Sequence, residues 1–438
     1  MSEVLSHIKL EDYETADLEQ FYTEIEIGGE TILVPFIRQS ERRAFKTCQY
    51  QWSWAWNQGF TPALPKQDAR WFGTGLHLAL AEWYVAGKKR GADMHKTWDK
   101  FCGDNYTKIA TGPYFDPDEW VDAKTLGHEM ITNYLLEYGT DSDWEVVSVE
   151  QRYRMKLKDA DGNVIGILVG TFDAIWRNIK TGQIWMVDHK TERDRISTNH
   201  LVKDEQAGTY VAVATMVLRA QGLIGKDEVV RGIIYNFLRK AKADTRPRNH
   251  RGVYCNKPTS KHYLESITNY LNNLWDNPQT TEEMRDMIQV EYGGTGNGEF
   301  PLLKKLKAGE LPPVAEALGL EVFGDESERQ SAPLFKREPV ERNAYERTRQ
   351  LERIKEELEQ MRMIRTGQLS LTKSPGDHCA WCDFRDLCEV DEAGGDAADY
   401  ARAAFRQRDP YADHRPNAIN SKTSVANDTE AKSKIRAF

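Results

Sequence analysis

Residues 163–192 read NVIGILVGTFDAIWRNIKTGQIWMVDHKTE, and the fold follows from their period. Two apolar runs, 163–177 and 184–192, are rich in β-branched and aromatic residues and flank the Gly-containing turn IKTGQ (179–183). They predict two paired strands. WEVVSVEQRYRMKL (144–157), leading into the turn DADGN (159–163), predicts a third strand before them. Charge interrupts this apolar pattern at three places. Asp173 breaks ILVGTFDAIW, Asp188 ends IWMV, and Lys190 follows two residues later. Side chains alternate across a strand, so Asp188 and Lys190 project from one face, and the hairpin sets Asp173 beside Asp188. Two carboxylates and a lysine converging at a sheet end suit a hard divalent cation. The lysine is then placed to orient or deprotonate a metal-activated water. A single Asp at a strand end is ordinarily a turn signal. The order G-x-x-D, then D-x-K after a short hairpin, is what carries the reading.

Outward from this stretch the period becomes helical. Residues 40–57 predict a helix with Ser40 as N-cap, GTGLHLALAEWYVAGKK (73–89) a second, and 119–138 a third. Residues 200–220 predict a further helix and VVRGIIYNFL (229–238) a further strand. Helices, strand meander, helix, strand: this order predicts an α/β fold, a central mixed β-sheet flanked by helices. His77 lies inside an apolar helix, where it is either a satisfied core histidine or a ligand. Gln206 and Tyr210 are four apart on the helix after Lys190 and share one face, placed to align the lysine or touch a phosphate.

The chain has 438 residues, with 59 Lys+Arg against 68 Asp+Glu, a formal charge of −9. Apolar residues make up 40% and charged residues 29%, enough for real cores. No apolar stretch approaches the ~18–20 residues of a membrane span, and the acidic N-terminus lacks a signal peptide's apolar core. The acidic balance argues against a histone-like coat held by bulk charge, but not against a nucleic-acid enzyme with local basic patches. Six cysteines are too sparse for a disulfide scaffold and point to a reducing compartment, so a cytoplasmic protein is expected.

Three of the six cysteines crowd into HCAWCDFRDLC (378–388): Cys379, Cys382 and Cys388, spaced C-x2-C-x5-C. That spacing aims sulfurs at a common metal or cluster but leaves it one ligand short. His378 adjoins the trio too closely to share its centre. Cys48, beside Trp52, Trp54 and Trp56, is the best fourth ligand, whereas Cys102 and Cys255 have no partner at ligand spacing. A remote cysteine followed by a late trio fits a [4Fe–4S] cluster better than a zinc ribbon, although zinc stays open. Such a cluster would staple chain ends together, a loop-closure constraint of about 5 kcal/mol plus a constant. The tryptophans either shield the cluster or stack bases.

Between residues 231 and 261 nine Lys/Arg stand against one Asp, a candidate patch for backbone phosphates or a solvated loop. EYGGTGNGEF (291–300) is irregular, and no Gly-Lys-Ser/Thr follows its glycines, so there is no P-loop. Residues 340–365 predict a long charged helix with Ala344, Leu351, Ile354, Leu358 and Met361 on one stripe, packed on its own domain or in a short coiled coil. Beyond about 392 the sequence lacks periodicity and reads as a disordered tail. No helix-turn-helix or zinc-finger reader is evident.

Taken together, His77, Gly170-Thr171-Phe172-Asp173, Asp188-His189-Lys190 and Gln206-x-x-x-Tyr210 resemble the PD-(D/E)XK nuclease superfamily, specifically its RecB-like branch. With Cys48 and the late cysteine trio, the chain looks like the iron–sulfur nucleases of the CRISPR-associated Cas-four and AddB type. The resemblance covers roughly residues 40–390. It implies a restriction-endonuclease-like core, with an N-terminal extension at 1–39, an insertion at about 239–345 and a tail at 391–438. It further implies Mg²⁺ or Mn²⁺ held by His77, Asp173, Asp188 and the His189 carbonyl, with Lys190 assisting the attacking water. Glu150 is either an acidic neighbour of this site or an edge-strand surface charge. The implied activity is a metal-dependent DNA exonuclease on single strands or duplex ends, in recombination, repair or replication. A CRISPR-linked role and a virus- or plasmid-encoded one both fit, as does a recombination or helicase partner. The alternative is a non-catalytic DNA-binding or scaffold subunit that keeps the fold and the cluster.

Overall fold

Alternation along residues 184–187 sends side chains to opposite faces of one sheet: Ile184 and Met186 join one core, Trp185 and Val187 the other. Both faces are covered, which is why the run reads as continuously apolar. The structure, a computed structural model, describes residues 22–27, 30–63, 69–112, 115–193, 196–294 and 298–415. It divides into two compact units, one up to Ala241 and from Leu334 onward, the other Lys242–Pro333.

The first unit opens with β1 (Tyr22–Ile27), β2 (Glu30–Arg38), α1 (Gln39–Thr47) and α2 (Gln49–Trp52), which runs into a π-helical turn at Ser53–Asn57. Then come β3 (Phe60–Pro62), α3 (Ala69–Trp83), α4 (Met94–Ala110) and α5 (Pro117–Tyr138). β4 (Trp144–Lys158), β5 (Val164–Asn178), β6 (Ile184–Glu192), α6 (Glu205–Ala220) and β7 (Val230–Arg239) follow. The second unit holds α7 (Ser260–Asp276), α8 (Glu282–Tyr292) and α9 (Leu311–Ala317). The chain re-enters the first unit with β8 (Phe335–Glu341), α10 (Ala344–Arg365), α11 (Arg385–Glu392), α12 (Ala397–Ala404) and β9 (Phe405–Gln407).

Among the described residues seven strands form one mixed sheet, ordered β1-β2-β5-β6-β7-β8, with β4 along the other edge of β5. The expected α/β architecture, a central mixed sheet flanked by helices, is the one found. β4, β5 and β6 are antiparallel. β6 and β7 are parallel, joined through α6 by the crossover that parallel pairing requires. α1, α6 and α10 cover one face, and α3, α4 and α5 the other. No described helix is long and apolar enough to cross a membrane.

Several boundaries differ from the sequence reading, each for a local reason. Ser40 is not the N-cap: β2 runs straight into α1, and extended Arg38 occupies the cap position. β2 lies inside the span read as an N-terminal extension, yet its Phe36–Arg38 pair in parallel with Ile167–Val169. α3 begins at Ala69 and ends at Trp83, and Gly87, with φ +101°, instead pairs with Val146. β8 lies within the span read as insertion and helix; its Pro339 and short length hide an edge strand. α10 packs Ile354, Leu358 and Met361 into the core of its own unit. Residues 397–407, read as part of a disordered tail, form α12 and β9, because Ala401 and Phe405 pack against Phe60 and Phe384. A few apolar anchors in a polar segment leave no periodic signal. The remainder of that tail beyond 415, and residues 1–21 of the expected extension, lie outside the described residues.

The second unit has its own core of Ile267, Leu271, Ile288, Tyr292, Phe300, Leu303, Leu311 and Ala315. Several cations of the 231–261 stretch are committed within their own unit. Arg231 pairs with Glu341 at 3.0 Å, Arg246 with Asp244 at 2.5 Å, Lys261 with Glu265 at 3.8 Å, and Arg251 with Glu326. This weakens the reading of that stretch as a free phosphate patch.

Candidate active site

The register lines up one row of polar side chains across the sheet. Ala174 pairs with Val187, so one step along the ladder Asp173 stands opposite Asp188. Val149 pairs with Ala174 and Gln151 with Phe172, which sets Glu150 opposite Asp173. On the other side Asp188 pairs with Tyr235. Gly170, the glycine of the G-x-x-D motif, has a packing reason: a Cβ there would lie 2.6–2.8 Å from the Tyr153 ring and hydroxyl.

Asp188 is almost fully buried, at 2% exposed. Its carboxylate is met by the Lys190 ammonium at 2.5 Å and by Gln206 Nε2, which donates at 2.8 Å. Lys190 Nζ in turn donates to Gln206 Oε1 at 2.9 Å, so one amide bridges the acid and the lysine. Tyr210 packs edge-on against Phe172, ring centroids 5.3 Å apart. Asp173 accepts the backbone N–H of His189 at 2.9 Å, and His77 Nδ1 lies 3.4 Å from the same oxygen. The structure therefore brings together His77, Asp173, Asp188, Lys190 and Gln206, with Tyr210 behind them. The His189 ring turns away into a buried network, where Asn236 Nδ2 lies 2.9 Å from its Nδ1. Because that amide nitrogen donates, Nδ1 accepts and the ring proton sits on Nε2.

The electrostatics explain what the row is short of. Burial pushes the Asp188 carboxyl up to about 6; the Lys190 charge opposes this and the Asp173 charge adds to it. Desolvation, then the Asp173 charge, pushes Glu150 up to about 7. Burial is the largest influence on Lys190 and would lower it, but the charge and hydrogen bond of Asp188, with the charges of Asp173 and Asp204, together outweigh it and hold the ammonium above its ordinary range. His189 is held well below its ordinary value, first by burial and then by the charges of His77, Arg337 and Lys190. Three carboxylates crowded at one sheet end carry more negative charge than one lysine balances. Hard oxygen donors beside an imidazole suit a divalent cation. Among the described residues no three His, Cys, Asp or Glu side chains already stand as a coordination set, neither in this row nor among the cysteines.

Glu150 has φ +46°, a left-handed conformation that an ordinary strand residue avoids. Its strained backbone, at the point where β4 passes Asp173, marks it as a member of the row. Asn236 and Arg337 belong to the site's support and were not singled out from sequence. Arg337 pairs with buried Asp141 at 2.5 Å, donates to Tyr134 at 3.1 Å, and lies 3.4 Å from Asn236 Oδ1. A lone amide inside GIIYNFL is the same kind of signal that revealed Asp173.

Cys102 and Cys255 are buried, whereas Cys48, Cys379, Cys382 and Cys388 are half-buried, and all six are free thiols. Burial raises Cys382 and Cys388, and both also feel the charge of Cys48, which places the remote cysteine near the late group. Tyr50, Trp54 and Phe384 pack in one cluster with Cys382 and Cys388.

No curated protein matches the chain. Among protein families, the PD-(D/E)XK nuclease superfamily matches residues 39–389, a span that contains every residue of the polar row and all four grouped cysteines. The chain belongs to the PD-(D/E)XK nuclease superfamily.

Proposed function

We propose that the chain is a divalent-cation-dependent DNA exonuclease of the RecB-like branch, acting on single strands or duplex ends. The observation that supports this most is the single hydrogen-bonded unit of Asp188, Lys190 and Gln206 beside Asp173. His77, Asp173 and Asp188, with the His189 carbonyl, would hold Mg²⁺ or Mn²⁺. A bound cation supplies Lewis-acid polarisation of the phosphate and lowers the pKa of bound water. Lys190, held charged by Asp188, orients the attacking water and balances charge building on the phosphate. Gln206 fixes the lysine's direction, and Tyr210 backs Gln206. Glu150 adds a carboxylate on the neighbouring strand.

Cys48, Cys379, Cys382 and Cys388 would hold a [4Fe–4S] cluster; supporting this are four free, half-buried thiols from distant parts of the chain, two of them packed among aromatic side chains. Its role here is to hold chain segments together. The setting is recombination, repair or replication in a cytoplasm, with a virus- or plasmid-encoded enzyme as one source and a recombination or helicase protein as a partner.

Single strands labelled at the 5′ or 3′ end, incubated with the purified chain and Mn²⁺, test the activity. Stepwise loss of nucleotides from one end supports an exonuclease and gives its polarity. Binding without cleavage favours a non-catalytic scaffold instead.

A further inference from the structure

A cleft of about 340 Å³ opens in the first unit, lined by residues of α1, the π-helical turn, β3 and β9. Its apolar floor includes Trp56, Phe60 and Phe384, and its rim carries Arg70, Arg406 and Arg408. Arg38 lies over the Trp56 ring at 5.7 Å and adds a fourth guanidinium to the neighbourhood. Two carboxylates offset these four cations. Asp383 forms a two-pronged pair with Arg70 at 2.8 and 3.1 Å, and Asp413 lies 3.4 Å from Arg38. Among the described residues, the guanidiniums of Arg406 and Arg408 have neither a hydrogen bond nor an ion pair. Burial, and then the charges of Arg38, Arg406 and Arg70 against the opposing pull of Asp413, hold Arg408 below its ordinary value.

Such a cluster is conspicuous in a chain of net charge −9. Its placement says what it would meet. Arg70, on the cleft rim, and His77, in the polar row, lie on the same helix, α3. A separation of seven residues is two turns, so they share a face about 10 Å apart along the axis. Phosphates of one strand follow each other every ~3.4 Å of duplex axis and more widely on an extended single strand, so the cleft lies within about three phosphates of the site. Planar guanidiniums with several donors match phosphate oxygens, and the carboxylate row beside them would repel the same strand.

We propose that this cleft binds the phosphodiester backbone of the substrate strand a few nucleotides from the bond that is cut, Arg406 and Arg408 providing the phosphate contacts. The assignment rests on the nuclease reading above. It makes local positive charge, rather than overall charge, the source of affinity for DNA.

The test is fluorescence anisotropy of a labelled oligothymidylate with the full chain in EDTA, which prevents cleavage, across a salt series. Arg406→Gln with Arg408→Gln should weaken binding about tenfold or more and flatten the log K against log salt slope by about 1.4. Replacing both by Lys keeps the charge and should restore most of the slope. Melting curves should be unchanged in both double variants, since neither guanidinium has a protein partner. Equal affinity and slope in the Gln double variant, in a chain that binds and cleaves DNA, overturns the cleft assignment alone. A parent chain that neither binds nor cleaves the strand overturns the nuclease reading and the cleft with it.

Discussion

Glu150 stands opposite Asp173 on the neighbouring strand, and of the two only Glu150 has a left-handed backbone, with φ +46°. A glycine would adopt that conformation without strain, by about 1 kcal/mol. Glu150→Gly should therefore raise the melting temperature while cleavage falls. Glu150→Gln should keep the strain and lower cleavage about 10- to 100-fold. Melting curves and a labelled-strand assay separate the two effects. A Gly variant that is both more stable and fully active would remove Glu150 from the site.

The same residue makes stability depend on pH. Its carboxyl moves from an ordinary 4.5 to about 7 in the folded chain. A raised folded pKa contributes stability that is present below the unfolded value and lost as pH rises through the folded one. In EDTA, the contribution of this group to stability should decline between about pH 4.5 and 7, so the stability difference between the parent chain and Glu150→Gln should change with pH in that sense. Denaturant melts across this range are the measurement.

Lys190→Ala and Asp188→Ala should each lower cleavage by at least ~100-fold. Lys190→Ala also leaves a buried carboxylate unpaired, which costs ~3–5 kcal/mol unless the acid takes up a proton. Lys190→Ala should consequently be less stable at alkaline than at mildly acidic pH. Undiminished cleavage by either variant would sink the site assignment.

His414 is 1% exposed, and its ring nitrogens have no hydrogen-bond partner among the described residues. Burial first, and then the charges of Arg38, Arg152 and Arg154 against the opposing pull of Asp413, lower it from 6.5 to about 4. The unfolded chain therefore binds the proton more readily. The contribution of His414 to stability should fall as pH drops from 6.5 towards 4, by on the order of 3 kcal/mol and opposite in sign to that of Glu150. His414→Leu should remove that contribution, as read by the stability difference between the parent and the variant in denaturant unfolding at several pH values.

Purified without air, the chain should carry iron and acid-labile sulfide with a visible charge-transfer absorbance. Replacing Cys48 or Cys388 by Ala should discharge both, whereas Cys102→Ala should not. Zinc in place of iron would make the same residues a zinc staple. Neither metal would leave the four thiols without this role.

The sheet interior was legible because polarity is costly there. Asp173, Asp188 and Lys190 each interrupt an apolar run, and the strand period then fixes which way they point. Gln206 was legible as a spacing, but its bridge between Asp188 and Lys190 depends on how α6 crosses the sheet, which no local pattern encodes. β2 and β8 were missed because edge strands need less apolar alternation than central ones. Tyr411 was missed because one buried ring in a polar segment has no period to betray it. Glu150 shows the limit most clearly: its sequence neighbours suggest an ordinary strand, and only the backbone angle sets it apart.

Tyr411 donates to Glu41 at 2.5 Å, across a sequence separation of 370 residues. Glu41 also accepts from Trp52 Nε1 at 3.1 Å and from Arg365 at 3.0 Å, and β3 and β9 pair close by. The hub around this carboxylate thus draws on early, late and very late parts of the polypeptide. A nascent chain on the ribosome cannot close it until residue 411 has left the exit tunnel. Up to that moment Glu41 lacks one of its partners, and closure of this part of the unit waits on residue 411 rather than on the segment that carries Glu41.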